Sequence, residues 1–437
     1  MTGLTEAIAA PDAEALSFAR STAAARRART LLLLVPALVP AIVFAGALLG
    51  RSLLAPGDGA LYYFPEHVLT TDAWRSLHIP AWNPFAFSGT PLLAASQSGA
   101  FYPLNALFLV LPALYANNAV VVLNLAIAST GAAVLARRLT NDTAAATVAG
   151  IGFASCGFMY GHIAHQSIEA SVAWLPWVLV GYESMRERPS ARSFALTSGA
   201  LALSLLGGHS QMFFLIVLAV AIYAAAVACL ESPPARRRLK QIAPPVLALL
   251  VVETAAPASA TTTLVFLLLD LFLVGLAVIA IVHRVLARRI RIAWRRGWIV
   301  PALVGAACSL AAVQLIPTAS IVGETVRAHL DFSTATAYSF SPSHLVLLLF
   351  PYLFGNPFTV APFTSTYHGH WNLTELAGYP GLACIVLAAA GLPRIRRDSR
   401  GVALVVTAWG ERLVAIDRPE PLEVGRLRER GRNDRVD

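Results

Sequence analysis

Residues 117–138 read NNAVVVLNLAIASTGAAVLARR, an apolar run closed by two arginines. A run of about 20 residues is long enough to cross a hydrocarbon layer of roughly 30 Å as a helix. The arginines at its end mark the side that stays in the cytoplasm. The pattern recurs. Short basic clusters stand between apolar runs at Arg26-Arg27-Arg29, Arg236 to Lys240, Arg288 to Arg296 and Arg394 to Arg397. Taken alternately, the runs predict roughly ten transmembrane helices: about 31–54, 117–136, 143–161, 168–185, 193–208, 212–230, 242–256, 261–283, 298–316 and 376–392.

Composition points the same way. Of 437 residues, 57% are hydrophobic and 13% charged, with a mean hydropathy of +0.65. Soluble domains carry about 25% charged residues, and their cores stop growing beyond roughly 250–300 residues. Lipid is the solvent that remains. The net charge of +9 sits at helix ends rather than on one face, which argues against nucleic acid as a partner. Four widely spaced cysteines, Cys156, Cys229, Cys308 and Cys384, lie within apolar segments and show no metal-ligand spacing. They read as small apolar residues.

The fold class expected is therefore all-α and polytopic. Residues 1–30, with Glu6, Asp12 and Glu14, form a cytoplasmic N-terminal segment. The run after them exceeds the 7–15 apolar residues usual in a signal peptide and reads as an uncleaved first span. Residues 31–392 make the membrane domain, with outer loops at 55–102 and 317–375, and 393–437 form a charged cytoplasmic tail. The short apolar piece 103–115, with Pro103 and Pro112, reads as interfacial or re-entrant.

The site-like residues fall on the outer side. Asp58 stands in a Gly-rich segment running through Tyr62, Tyr63 and Phe64 to Pro65. A carboxylate just outside the hydrocarbon is a candidate general base, and a hydrated turn Asp is the alternative. Glu66 and Asp72 are further acids of the loop. His162, His165, His209 and Gln211 cluster at the outer turns of two helical hairpins, placed to bind phosphate or sugar or simply to satisfy nearby carbonyls. Gln314, Glu324, Arg327, His329 and Asp331 follow the helix at 298–316. An outer arginine such as Arg327 can clamp a phosphate, or pair with Glu324. The tryptophans, Trp82 among them, read mainly as an interfacial belt, with sugar stacking as a second use.

The segments Tyr62-Tyr63-Phe64-Pro65, Pro80-Ala81-Trp82-Asn83-Pro84, Gly89-Thr90-Pro91-Leu92 and Phe101-Tyr102-Pro103 form a pattern with His165, Trp174-Leu175-Pro176, Gly208-His209-Ser210-Gln211 and Gln314-Leu315-Ile316-Pro317-Thr318. That pattern resembles the YfhO-type bacterial membrane proteins over about residues 30–392. The resemblance implies a GT-C-like glycosyltransferase in the bacterial cytoplasmic membrane. It would take a sugar from a polyprenyl-phosphate carrier and pass it to a cell-envelope acceptor outside the cytoplasm. Asp58 matches the acidic residue of the first outer loop, a base or a carboxylate associated with a divalent cation. Tyr62, Tyr63, Trp82, Asn83, His165, His209, Gln211 and Arg327 are then substrate-binding candidates. Members of the family commonly run longer, so the chain is also expected to end short of the family's pattern. Two other readings are a lipid-linked sugar flippase, with Glu253 and Asp270 as midplane groups, and an inactive truncated relative.

Overall fold

The arginine-terminated run folds as one helix of 28 residues, Ala113–Thr140, about 42 Å long at 1.5 Å per residue. The structure is a computed structural model and describes residues 32–231, 299–325, 346–355, 379–395 and 398–415. The described chain is mostly helical. Its main elements are α1 (Val35–Val43), α2 (Phe64–Arg75), α3 (Ala113–Thr140), α4 (Thr143–Ala154), α5 (Gln166–Val172), α6 (Leu175–Glu187), α7 (Ala191–Leu206), α8 (Ser210–Leu230), α9 (Ile299–Leu310), α10 (Ala312–Ile321), α11 (Leu382–Ile395) and α12 (Ser399–Ala415). One two-residue antiparallel pair, β1 (Trp82–Asn83) with β2 (Thr90–Pro91), lies in the loop between α2 and α3.

Among the described residues three helices are long and apolar enough to cross a membrane: Ala113–Thr140, Thr143–Ala164 and Ser210–Ala228. A fourth is added if Ile299–Leu310 and Ala312–Glu324, bent by 86°, count as one span. Roughly ten were expected, and the difference has local causes. The run at 31–54 carries Pro40 inside α1, which stops at Val43 and yields to a separate short helix. At 16 residues, α7 is apolar but short. The runs at 242–256 and 261–283 lie outside the described residues. The 103–115 piece folds as a 3-10 turn and a single α-turn before α3 begins. Residues 399–415, read as the start of the charged tail, form α12, and Ala403 is wholly buried in the main core.

Small residues set the closest helix contacts. The turn between α3 and α4 is made by Asn141 in the left-handed region (φ 57°) and by Asp142, whose carboxylate accepts from the amides of Ala144 and Ala145. The two helices then meet so closely that a Cβ on Gly150 would lie 2.7 Å from the Ser129 carbonyl oxygen. Ser129 Oγ donates to the Gly150 carbonyl across that contact at 3.0 Å. Close approach of small residues drives packing where lipid supplies no hydrophobic force. A larger core joins α6, α7, α8, α9 and α12 through Val178, Leu201, Val220, Tyr223, Leu303 and Ala403.

The bundle has two chemically distinct ends. Arg138, near the end of α3, donates to Ser184 Oγ and pairs with Glu187, both at 2.9 Å. Arg186 pairs with Glu183 at 2.8 Å and with Glu231, just after α8, at 2.6 Å. The last turns of α3, α6 and α8 therefore share one ionic end. Asn118 lies 20 residues before Arg138 on the same helix, a rise of about 30 Å. Its side-chain amide donates to the carbonyls of Ala47 and Ser52, and its Oδ1 accepts from Leu54 N–H. Asn117 accepts from Gln166 at 2.9 Å, which brings the start of α5 to the same place. The expected site residues are built on this second end.

Candidate functional site

Just past the Asn118 clamp the chain turns at Gly57 (φ 55°) and enters a π-turn, Gly59–Tyr63, with Asp58 as the residue before it. The wide turn places Gly59 against the carbonyl oxygens of Ala164 and Ile163, 3.6 and 3.7 Å from where a Cβ would stand. That contact seats the loop on the α4–α5 connection. Asp58 Oδ2 then lies 3.3 Å from His165 Nε2. The carboxylate is open, with 63% of its side chain exposed, whereas His165 is only 15% exposed. The other ring nitrogen, Nδ1, is buried without a partner. An accessible carboxylate held by a fixed imidazole is a geometry suited to accepting a proton from a bound hydroxyl.

Around this pair the outer loop is anchored by polar contacts. Tyr63 is buried, with its hydroxyl 2.9 Å from Ser167 Oγ and donating to Gln97 Oε1 at 3.3 Å. Ser96 Oγ donates to the Gly208 carbonyl at 3.0 Å. Gly208 has φ 97°, and a Cβ there would lie 2.6 Å from the Ser96 carbonyl oxygen, so only glycine fits. Gln314, on α10, is buried and donates to the Leu93 carbonyl at 2.7 Å. Segments far apart in sequence thus converge on the stretch 93–97.

The histidines gather as the sequence predicts. The rings of His162 and His165 are 5.5 Å apart, and His209 is close enough to interact electrostatically with His162. His162 Nδ1 is 2.8 Å from the Phe158 carbonyl oxygen. His209 accepts the Met212 amide at 3.3 Å, capping α8 beside the exposed Gln211. Trp82 is exposed and lies over Gly89, while Asn83 is buried and its Oδ1 accepts from Phe85 N–H at 2.9 Å. Asn83 therefore shapes its own turn. Arg327, His329 and Asp331 lie outside the described residues. Among the described residues no three of His, Cys, Asp and Glu are grouped to hold a metal ion.

Glu66 is the second acid of the loop and is nothing like Asp58 in its surroundings. It is buried, and loss of hydration pushes its carboxyl up to about 7, against the hydrogen bond from Tyr62, which favours the ionised form. Folding thus favours neutral Glu66. Its contribution to stability is full below about pH 4.5 and is lost as pH rises through about 7. Glu66→Gln should flatten the fall in melting temperature between these values. An identical pH profile in the variant would remove Glu66 as the cause.

Several residues of this end went unremarked in the sequence reading. Asn117 and Asn118 open an apolar span, and polar amides inside such a span are a signal in themselves. Ser167 and Ser96 gave no such signal, since serine is common in every setting.

No family model matches this chain, and neither does any curated protein or solved structure.

Proposed function

We propose that the chain is a polytopic membrane glycosyltransferase of GT-C type, as its likeness to the YfhO-type proteins implies. In this reading it spans the bacterial cytoplasmic membrane about ten times with its N-terminus in the cytoplasm. It takes a sugar from a polyprenyl-phosphate carrier and transfers it to a cell-envelope acceptor on the outer face. The observation that carries the reading is the Asp58–His165 pair, 3.3 Å apart, at the bundle end remote from Arg138 and Arg186.

The chemistry follows from those groups. Asp58 takes the proton from the acceptor hydroxyl as its oxygen attacks the anomeric carbon of the donor sugar. The bond from that carbon to the phosphate oxygen breaks, and polyprenyl phosphate leaves with the electron pair. His165 orients the Asp58 carboxylate. His209 and Arg327 are the groups assigned to the departing phosphate, where charge develops. Tyr62 and Tyr63 build the wall of the loop, and Trp82 and Gln211 offer exposed contacts to the substrates.

Purified full-length protein in lipid should transfer sugar from at least one member of a panel of polyprenyl-phosphate sugars. Transport of a labelled lipid-linked sugar across proteoliposomes, with no transfer product, would replace this reading with that of a flippase.

A further inference from the structure

The connection between β1 and β2 carries Phe85-Ala86-Phe87 at its tip, and both phenylalanines stand clear of the protein, 84% and 93% exposed. The tip has a defined shape. Asn83 Oδ1 accepts from Phe85 N–H at 2.9 Å, and the Gly89 amide donates to the Ala86 carbonyl at 2.7 Å across Phe87 and Ser88. Those two residues have φ 49° and 65°, the positive values of a type I′ turn. Asn, Asp or Gly ordinarily fill such places, and a bulky side chain there is unfavourable. Phe87 therefore works against its own backbone, and at 93% exposure little contact within the chain offsets that cost.

Charge and position select what lies outside. From Ser76 to Ala136 the chain contains no Asp, Glu, Lys or Arg, so the loop offers a soluble partner no ion pair. Ile79 and Trp82, 66% and 55% exposed, extend the apolar surface toward the root of the hairpin. Uncharged aliphatic and aromatic side chains with a tryptophan among them match the boundary between lipid and water. The hairpin departs from the end of α2, where Arg75 Nη2 donates to the carbonyls of Phe108 and Leu109 at 3.1 and 3.4 Å. Leu109 and Val110 are themselves exposed, and α3 begins three residues after Val110, at Ala113. The root of the hairpin is thereby fixed at the outer end of α3, continuous with the exposed apolar side of that span.

We propose that the β1–β2 hairpin is a lipid anchor, with Phe85 and Phe87 in the outer-leaflet interface and Trp82 at the level of the headgroups. The anchor rests on the membrane placement in the proposed reading and not on its transfer chemistry. To that reading it adds a tether. The loop that bears Asp58 is joined through α2 to the leaflet in which a lipid-linked donor would lie.

The test is fluorescence quenching on the full chain without native cysteines, one copy per nanodisc. A bimane on Ser88→Cys leaves both phenylalanines in place. Lipids with a doxyl group near the headgroup end of the acyl chain should quench it by about half, and lipids labelled near the methyl end less, as insertion to about 5–10 Å requires. Phe85→Ser with Phe87→Ser should abolish that quenching. A second probe, on Leu123→Cys at the exposed side of α3, should be quenched with or without the two serines, which shows that both proteins are embedded. Quenching at Leu123 with none at Ser88 would leave the span standing and overturn the anchor, as would Ser88 quenching that survives the loss of both phenylalanines. No quenching at either position would overturn the membrane placement and the anchor with it. Shielding of Ser88 from water only in discs holding two copies would make the patch an interface between copies and equally overturn the anchor.

Discussion

Asp58→Asn should lower sugar transfer by about 10²–10⁴-fold, the range that a positioned general base contributes. The variant keeps the size and most of the hydrogen-bonding capacity of the side chain but cannot take a proton from the acceptor. Because 63% of the Asp58 side chain is exposed and its contact is a single one to His165 Nε2 at 3.3 Å, the substitution removes little packing. The protein should insert and melt as the wild type does, and substrate affinity should change far less than turnover. Unchanged turnover in Asp58→Asn would remove this residue from the chemistry. Glu66, buried and half-protonated near neutral pH, would then be the acid to examine in its place.

Glu183→Ala should have the largest effect on stability, and for reasons unrelated to catalysis. Glu183 is fully buried in α6, where it pairs with Arg186 at 2.8 Å and accepts from the Tyr223 hydroxyl at 3.1 Å. Removing one member of a buried ion pair leaves the other uncompensated, at a cost of about 3–5 kcal/mol. Arg186 keeps Glu231 at 2.6 Å, so a loss near 3 kcal/mol is expected. Thermal unfolding in detergent measures it. Replacing both partners, in Glu183→Met with Arg186→Met, should recover much of the loss, since the stranded charge goes too. A melting temperature equal to wild type in Glu183→Ala would show that the pair carries no net weight.

The two ends of the bundle were legible in the sequence because charge and hydropathy act over whole runs. Arg137-Arg138 after the apolar stretch, and Arg186 after the next hairpin, place those helix ends together, and the structure joins them through Ser184 and Glu187. The gathering of His162, His165 and His209 was legible for the same reason, since hairpin parity puts their turns on one side. The pairing of Asp58 with His165 was not, because it depends on a π-turn and on Gly59 docking against the carbonyls of Ile163 and Ala164. No periodicity announces such a contact. Asn83 and Gln314 were legible as polar residues of the outer loops, but not as the structural pins they prove to be. Nothing in the sequence sets Glu183 apart from the other charges near helix ends. Its burial depends on Tyr223 arriving from α8, which only the tertiary packing determines.

The transferase reading depends on which compartment each end of the bundle faces. Single cysteines at Ser76, exposed after α2, and at Arg188, exposed after α6, report both ends in a background without native cysteines. In intact cells, a membrane-impermeant maleimide should label Ser76→Cys at once and Arg188→Cys only after the membrane is opened. Labelling of Arg188→Cys in sealed cells, with Ser76→Cys protected, would put Asp58 and His165 in the cytoplasm and contradict the account.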